Sequence, residues 1–218
     1  GLKPGGDDGT YFQKVAMVNQ TIEPDQSFLT FTAPDGTEMP TVLKQDSVIW
    51  TKHQDAATIS LAPSDVVFVG YGVDAPEYDW DDYGDQDYTG KTVVILVNDP
   101  GFATGDPELF KGKAMTYYGR WTYKYEEAAR KGAAAAIVVH ETEPASYGWD
   151  VVKNSWSGAQ SDLVRTDGGA DRANVEGWVT RAMAEKLFAS AGLDFEAMKT
   201  AAKTRGFKPV PLTGLKAT

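Results

Sequence analysis

Few side chains in this sequence are equipped for chemistry, and their spacing narrows what they could do. There are two histidines, His53 and His140, and no cysteine. Thiol nucleophiles, disulfides and cysteine-ligated zinc are therefore excluded. His53-Gln54-Asp55 has the His-x-Asp spacing of a metal-ligand pair. Trp50-Thr51-Lys52 precedes it, Ala56-Ala57-Thr58 follows it, and no Glu-Glu pair with a bridging Asp comes after, so it reads as a loop histidine. His140-Glu141-Thr142-Glu143-Pro144 opens like the zinc helix His-Glu-x-x-His. Its fifth position is Pro144, which cannot ligate and is expected to break a helix, so a structural place at a strand end is expected for His140. Gly-x-Ser-x-Gly is absent, and a serine triad could draw only on the same two histidines.

Other patterns bear on binding. Seven carboxylates (Asp74, Glu77, Asp79, Asp81, Asp82, Asp85 and Asp87) fall within fourteen residues. Calcium takes several oxygens from one flexible loop, and Asp79-Trp80-Asp81-Asp82-Tyr83-Gly84 begins like an EF-hand. Tyr83 then takes a ligand position and Gly90 stands where the bidentate Glu belongs, which favours a solvated acidic face. Tyr117, Tyr118, Trp121, Tyr123, Tyr125, Tyr147, Trp149 and Trp156 form a dense aromatic set of a kind enriched at interfaces and peptide sites. Tyr147, Trp149 and Trp156 follow Pro144 in what reads as an exposed loop, and they are the candidate peptide-contacting residues. The competing reading has these rings cover the small-residue strand at 133–136. Gly5-Gly6-Asp7-Asp8-Gly9 carries two anions and precedes no P-loop lysine, which argues against phosphate.

The elements that must position these residues are mostly short strands. The 218 residues are 42% hydrophobic and 24% charged, an ordinary balance for a folded globular chain. With 31 acidic against 21 basic side chains the net charge is −10, which repels nucleic acid and anionic lipid, and no apolar run reaches membrane-spanning length. Strands are expected around 11–18, 28–31, 42 and 48–50, separated by turn residues. Val66 to Val69 and Lys91 to Asn98 read as buried strands. A helix over 118–131, closed by Gly132, leads to an apolar strand over 133–139, which makes a parallel crossover. Trp121 and Tyr125, four apart, share a face of that helix. A strand over 175–179, a helix capped by Thr180 and another capped by Asp194 and ending near Gly206 complete the pattern. The tail from Phe207, with Pro209 and Pro211, reads as a return strand or linker.

Several stretches also carry a family likeness. Val66 to Val73, Tyr88-Thr89-Gly90-Lys91 through Asn98-Asp99-Pro100-Gly101, and Ala128-Ala129-Arg130-Lys131-Gly132 through His140-Glu141 resemble the protease-associated domain of bacterial di-zinc aminopeptidases, of the aminopeptidase S or glutamate carboxypeptidase-like kind. The stretch Glu143-Pro144, Tyr147, Trp149, Val151-Val152 and Trp156-Ser157-Gly158 is similar to the same domain. Gly1 to Pro4 with Asp7 to Gln13 resembles the segment leaving the first peptidase helix, so the sequence reads as the middle of a longer protein. The resemblance implies a mixed α/β, β-rich fold: a β-sandwich or open barrel with flanking helices and one parallel βαβ crossover. It implies segments 1–60 (joining the peptidase domain), 61–206 (the protease-associated domain) and 207–218 (a return linker), with 1–218 able to form one unit. It further implies a non-catalytic domain beside the active-site cleft, periplasmic or extracellular, with no cofactor of its own and with zinc held by the peptidase domain. The partners implied are that peptidase domain in cis and peptide or protein substrates. A stand-alone peptide-binding module is the second reading, and a hydrolase using His53 or His140 the third.

Overall fold

Strands that are apolar on both sides of the pleat need cover on both faces, and that requirement organises the chain. The computed structural model describes all residues, Gly1–Thr218. Its strands are β1 (Met17–Gln20), β2 (Thr30–Thr32), β3 (Glu38–Pro40), β4 (Ser47–Trp50), β5 (Ser64–Phe68), β6 (Asp74–Ala75), β7 (Trp80–Asp81), β8 (Thr92–Leu96), β9 (Ala135–His140), β10 (Gln160–Leu163), β11 (Val175–Thr180) and β12 (Val210–Ala217). The helices are α1 (Pro100–Thr104), α2 (Trp121–Arg130), α3 (Thr142–Ala145), α4 (Trp149–Trp156), α5 (Arg181–Ser190) and α6 (Phe195–Ala201).

Eight strands form one curled, mixed sheet in the order β3-β2-β12-β5-β8-β9-β11-β4. Of the two arrangements expected, sandwich or open barrel, the open curled sheet is present. The expected parallel crossover joins β8 to β9 through α2, and β5–β8 and β9–β11 are parallel as well. Strands from 1–60, 61–206 and 207–218 all enter this sheet. The pleat sorts its two cores: Phe68, Leu96, Ile137 and Val179 face α5 and α6, whereas Val67, Ile95, Val138 and Trp178 face α2 and α4.

Several boundaries differ from the sequence reading, each for a local reason. The helix expected over 118–131 starts at Trp121, because Tyr117–Gly119 is a separate 3-10 turn. Thr180 and Asp194 accept from Met183 N and Ala197 N, as capping residues do. The helix after Asp194 stops at Ala201, and the chain turns through the left-handed Gly206. No strand forms at Val42; Glu38–Pro40 pairs with β2 instead. The proline-bearing tail is strand β12, inside the sheet between β2 and β5, with its register shifted between Pro211 and Lys216. That irregularity accommodates a residue with no amide hydrogen to give.

Close approach at one glycine sets the edge. A Cβ on Gly177 would lie 2.6 Å from Val48 O and 2.9 Å from Ile49 Cγ2, so β4 can sit on β11 only because position 177 is bare. Gly177→Ala is expected to cost about 2 kcal/mol through overpacking, read as a lower urea midpoint. An unchanged midpoint would show that β4 moves aside freely.

Candidate functional site

A cleft of about 620 Å³ opens at the amino ends of the parallel strands. Thr92, Ala135 and Val175, where β8, β9 and β11 begin, form its floor. One wall is the inward face of the β1–β10 ribbon, which presents Val18, Gln20, Gln160 and Asp162. The residues between, Met17, Asn19, Ser161 and Leu163, point outward, as the two-residue period requires.

The facing wall is residues 51–61, which lie outside any helix or strand and are tied down by polar groups. Gln20 Nε2 donates to His53 O at 2.8 Å, and Gln54 Nε2 donates to Leu163 O at 2.7 Å. Lys52 Nζ reaches Asp162 at 3.1 Å across the opening. Burial raises the Asp162 pKa, but bonds from Lys52 and the Leu163 amide outweigh it and hold the carboxyl below its usual range. At the rim, Phe28 is 69% exposed, an apolar ring without cover from the chain.

Two tryptophans close one end. Trp156 stacks on Trp50 with ring centroids 4.0 Å apart and planes 9° from parallel, and Trp121 meets Trp156 edge-on at 4.8 Å. Trp50 is fixed from behind, where its Nε1 donates to Glu176 at 3.0 Å. Burial pushes the Glu176 carboxyl up to about 7, and its second oxygen has no partner.

The three candidate peptide-contacting residues do not share one site. The exposed loop expected over 147–156 is corrected here: Trp149–Trp156 is helix α4, and Val152 anchors it in the core. Its eight residues span about 12 Å, so its ends serve different places. Trp156 lines the cleft. Tyr147 and Trp149 pack around His140, whose Nε2 lies 3.0 Å from Tyr147 O, and Trp149 Nε1 donates to Lys44 O at 2.9 Å. All three rings are partly buried against the core. Trp50, the partner of Trp156, has no distinguishing mark in the sequence; only its place at the end of a β-forming run beside a loop could have pointed to it.

The remaining chemical candidates disperse. His140 ends β9 at one end of the sheet, beside Thr180, and burial lowers its pKa. His53 follows Trp50, which pairs with Glu176 near the other end. No three His, Asp or Glu side chains converge as metal ligands, so the residues present do not fit a zinc centre.

In the acidic segment Asp74 pairs with Lys131, Glu77 accepts from Tyr118, and Asp81 accepts from Tyr83 N and Gly84 N. Asp82 is buried, accepting from Val73 N and Trp80 Nε1, so the segment is more than a solvated face.

No protein-family model matches the sequence, and no match to it was found among curated proteins. Among solved structures the fold is similar to part of an aminopeptidase from Aneurinibacillus sp. strain AM-1, at 16% identity and a TM-score of 0.42. The match covers 93% of this chain and 31% of that one, so the chain spans under a third of that protein's length.

Two outcomes are expected from this geometry. The raised pKa of Glu176 supports the fold fully below about pH 4.5, and that support is lost as pH rises toward about 7. Relative to Glu176→Gln, the native chain is therefore expected to lose up to about 3 kcal/mol between pH 4.5 and 8, measured by urea denaturation. Parallel pH profiles for the two proteins would refute the shift. Millimolar calcium is expected to leave Tm unchanged, because Asp74, Glu77, Asp81, Asp82 and Asp87 already have separate partners; a calcium-dependent rise would show that they regroup.

Proposed function

We propose that this chain is a non-catalytic protease-associated domain of a secreted zinc metallopeptidase, and that it shapes access to the active-site cleft of a peptidase domain in cis. The observation that carries the reading is the open cleft itself, which is built to hold a chain and contains no reactive constellation. Its walls are extended backbone and an antiparallel ribbon, its end is a stacked pair of indoles, and an uncovered phenyl ring stands at the rim. Such a surface suits an extended peptide, with aromatic faces for its apolar side chains. The two histidines lie toward opposite ends of the sheet, which favours a supporting role over hydrolysis. The motif likeness in 66–73, 88–101 and 128–141 supplies the peptidase context.

A stand-alone peptide-binding module is the second reading, favoured by Trp50 and Trp156 because they would work without a neighbouring domain. An amide NMR titration with a mixed peptide library, zinc present and peptide integrity read in the same tube, distinguishes the readings. Weak shifts short of saturation, or none, and no cleavage are expected of a domain whose cleft works only beside its peptidase. Saturable shifts in 50–61 and 156–162 with intact peptides would make it a binding module; Trp156→Ala would then weaken binding roughly tenfold, with circular dichroism confirming the fold. Cleaved peptides would overturn both.

A further inference from the structure

The end of the sheet opposite the cleft holds a smaller cavity of about 130 Å³. It opens where three parallel strands finish: Tyr71 lies just past β5, Asn98 just past β8 and Glu141 just past β9. The carboxyl ends of parallel strands are where open α/β sheets hold ligands. Apolar atoms come from Val97, Phe102 of α1 and Pro144 of α3.

The charges around this cavity are unevenly matched. Lys199 of α6 pairs with Glu141, which also holds Arg181. Lys113, Lys203 and Glu143 line the same cavity and have no ion-pair partner in the chain; Lys113 Nζ only rests over the Phe102 ring, 4.3 Å from its centroid. Two free cations and one free carboxylate thus face one small space. Tyr71 adds a second, independent sign. It is 5% exposed, yet its hydroxyl forms no hydrogen bond within the protein. The ring is buried while the hydroxyl oxygen reaches the solvent of the cavity, so a group that enters can take the place of water on it. Asn98, just behind, is fixed by donating to Pro144 O at 2.7 Å and holds a left-handed backbone at φ 70°.

We propose that this cavity binds a free α-amino acid with a small apolar side chain. Its carboxylate lies toward Lys113, Lys203 and the Tyr71 hydroxyl, its ammonium meets Glu143, and its side chain packs on Phe102 and Pro144. The cavity has room for roughly four waters by liquid volume, which suits alanine better than an aromatic amino acid. Because it lies across the sheet from the tryptophan-walled cleft, the inference stands or falls independently of the reading given to that cleft.

The test is an amide NMR titration of the 218-residue chain with alanine at fixed ionic strength, with propionate, ethylamine and sodium chloride as parallel arms. Saturable shifts at Tyr71, Asn98, Glu141 and Lys203 with alanine, weaker with either half-molecule and absent with chloride, are expected. Tyr71→Phe should weaken alanine binding roughly tenfold. Glu143→Gln, at an exposed position where folding is not at stake, should weaken alanine while leaving propionate unchanged. Equal binding of propionate, shifts that never saturate, or indifference to both substitutions would overturn the proposal.

Discussion

Every residue of Ala135–His140 is buried, and so is every residue of Thr92–Leu96, so the centre of the sheet has no face that water can wet. The rest of the structure answers that constraint. Each parallel connection has to return along a face, and in returning it lays cover on the strands just formed. Helices α2 and α4 cover one face and α5 and α6 the other. The small side chains of Ala133 and Ala136 lie on the face that α2 covers, and Tyr125 crosses to β11, where its hydroxyl donates to Gly177 O at 2.9 Å. One hydrogen bond thus locks a covering helix to the strand that also carries the sheet edge.

Covering a sheet with an amphipathic chain buries polar groups, and a low-dielectric interior raises the cost of each one left unmatched. Lys124 of α2 is fully buried without a hydrogen bond, and burial drives its pKa down. Asp82 and Asp99 stand near enough to oppose that shift. Burial likewise drives Asp82 up, against the bonds it accepts from Val73 N and Trp80 Nε1. These groups tie α2, the β6–β7 ribbon and the turn after β8 together at the carboxyl end of the sheet. Glu176 plays the corresponding part at the other end, holding Trp50 and, through the stack, Trp156.

The two ends of the sheet therefore differ in kind. At the amino ends the cover is incomplete: residues 51–61 and the β1–β10 ribbon bridge the opening with side-chain-to-backbone bonds and one ion pair, leaving an open cleft. At the carboxyl ends the cover is charged and leaves a small cavity onto which the Tyr71 hydroxyl opens. Helix α4 runs between them, which is why its first tryptophan packs on His140 and its last lines the cleft.

Much of this architecture is legible in the sequence, because apolar runs, capping residues and glycine stops report local preferences directly. Val66 to Phe68, Lys91 to Leu96 and Ala133 to Val139 announce buried strands, Thr180 and Asp194 announce helix starts, and Gly132 announces a stop. The absence of cysteine and the lack of ligand partners for His53 and His140 are likewise visible without coordinates. What the sequence withholds depends on residues far apart in the chain. Trp50 and Trp156 are joined only because β4 pairs with β11 and α4 packs on β4, contacts more than a hundred residues apart. The loop reading of 147–156 failed because Gly148 and Pro144 signal a break, while the helical stripe beyond them is held by Val152 in a core that local pattern does not reveal. The proline-bearing tail, which reads as a return strand or linker, is an interior strand, and its place between β2 and β5 is set by long-range pairing. Local chemistry determined the kinds of element, whereas the closing of the sheet decided which side chains stand together, because contact across it depends on long-range pairing.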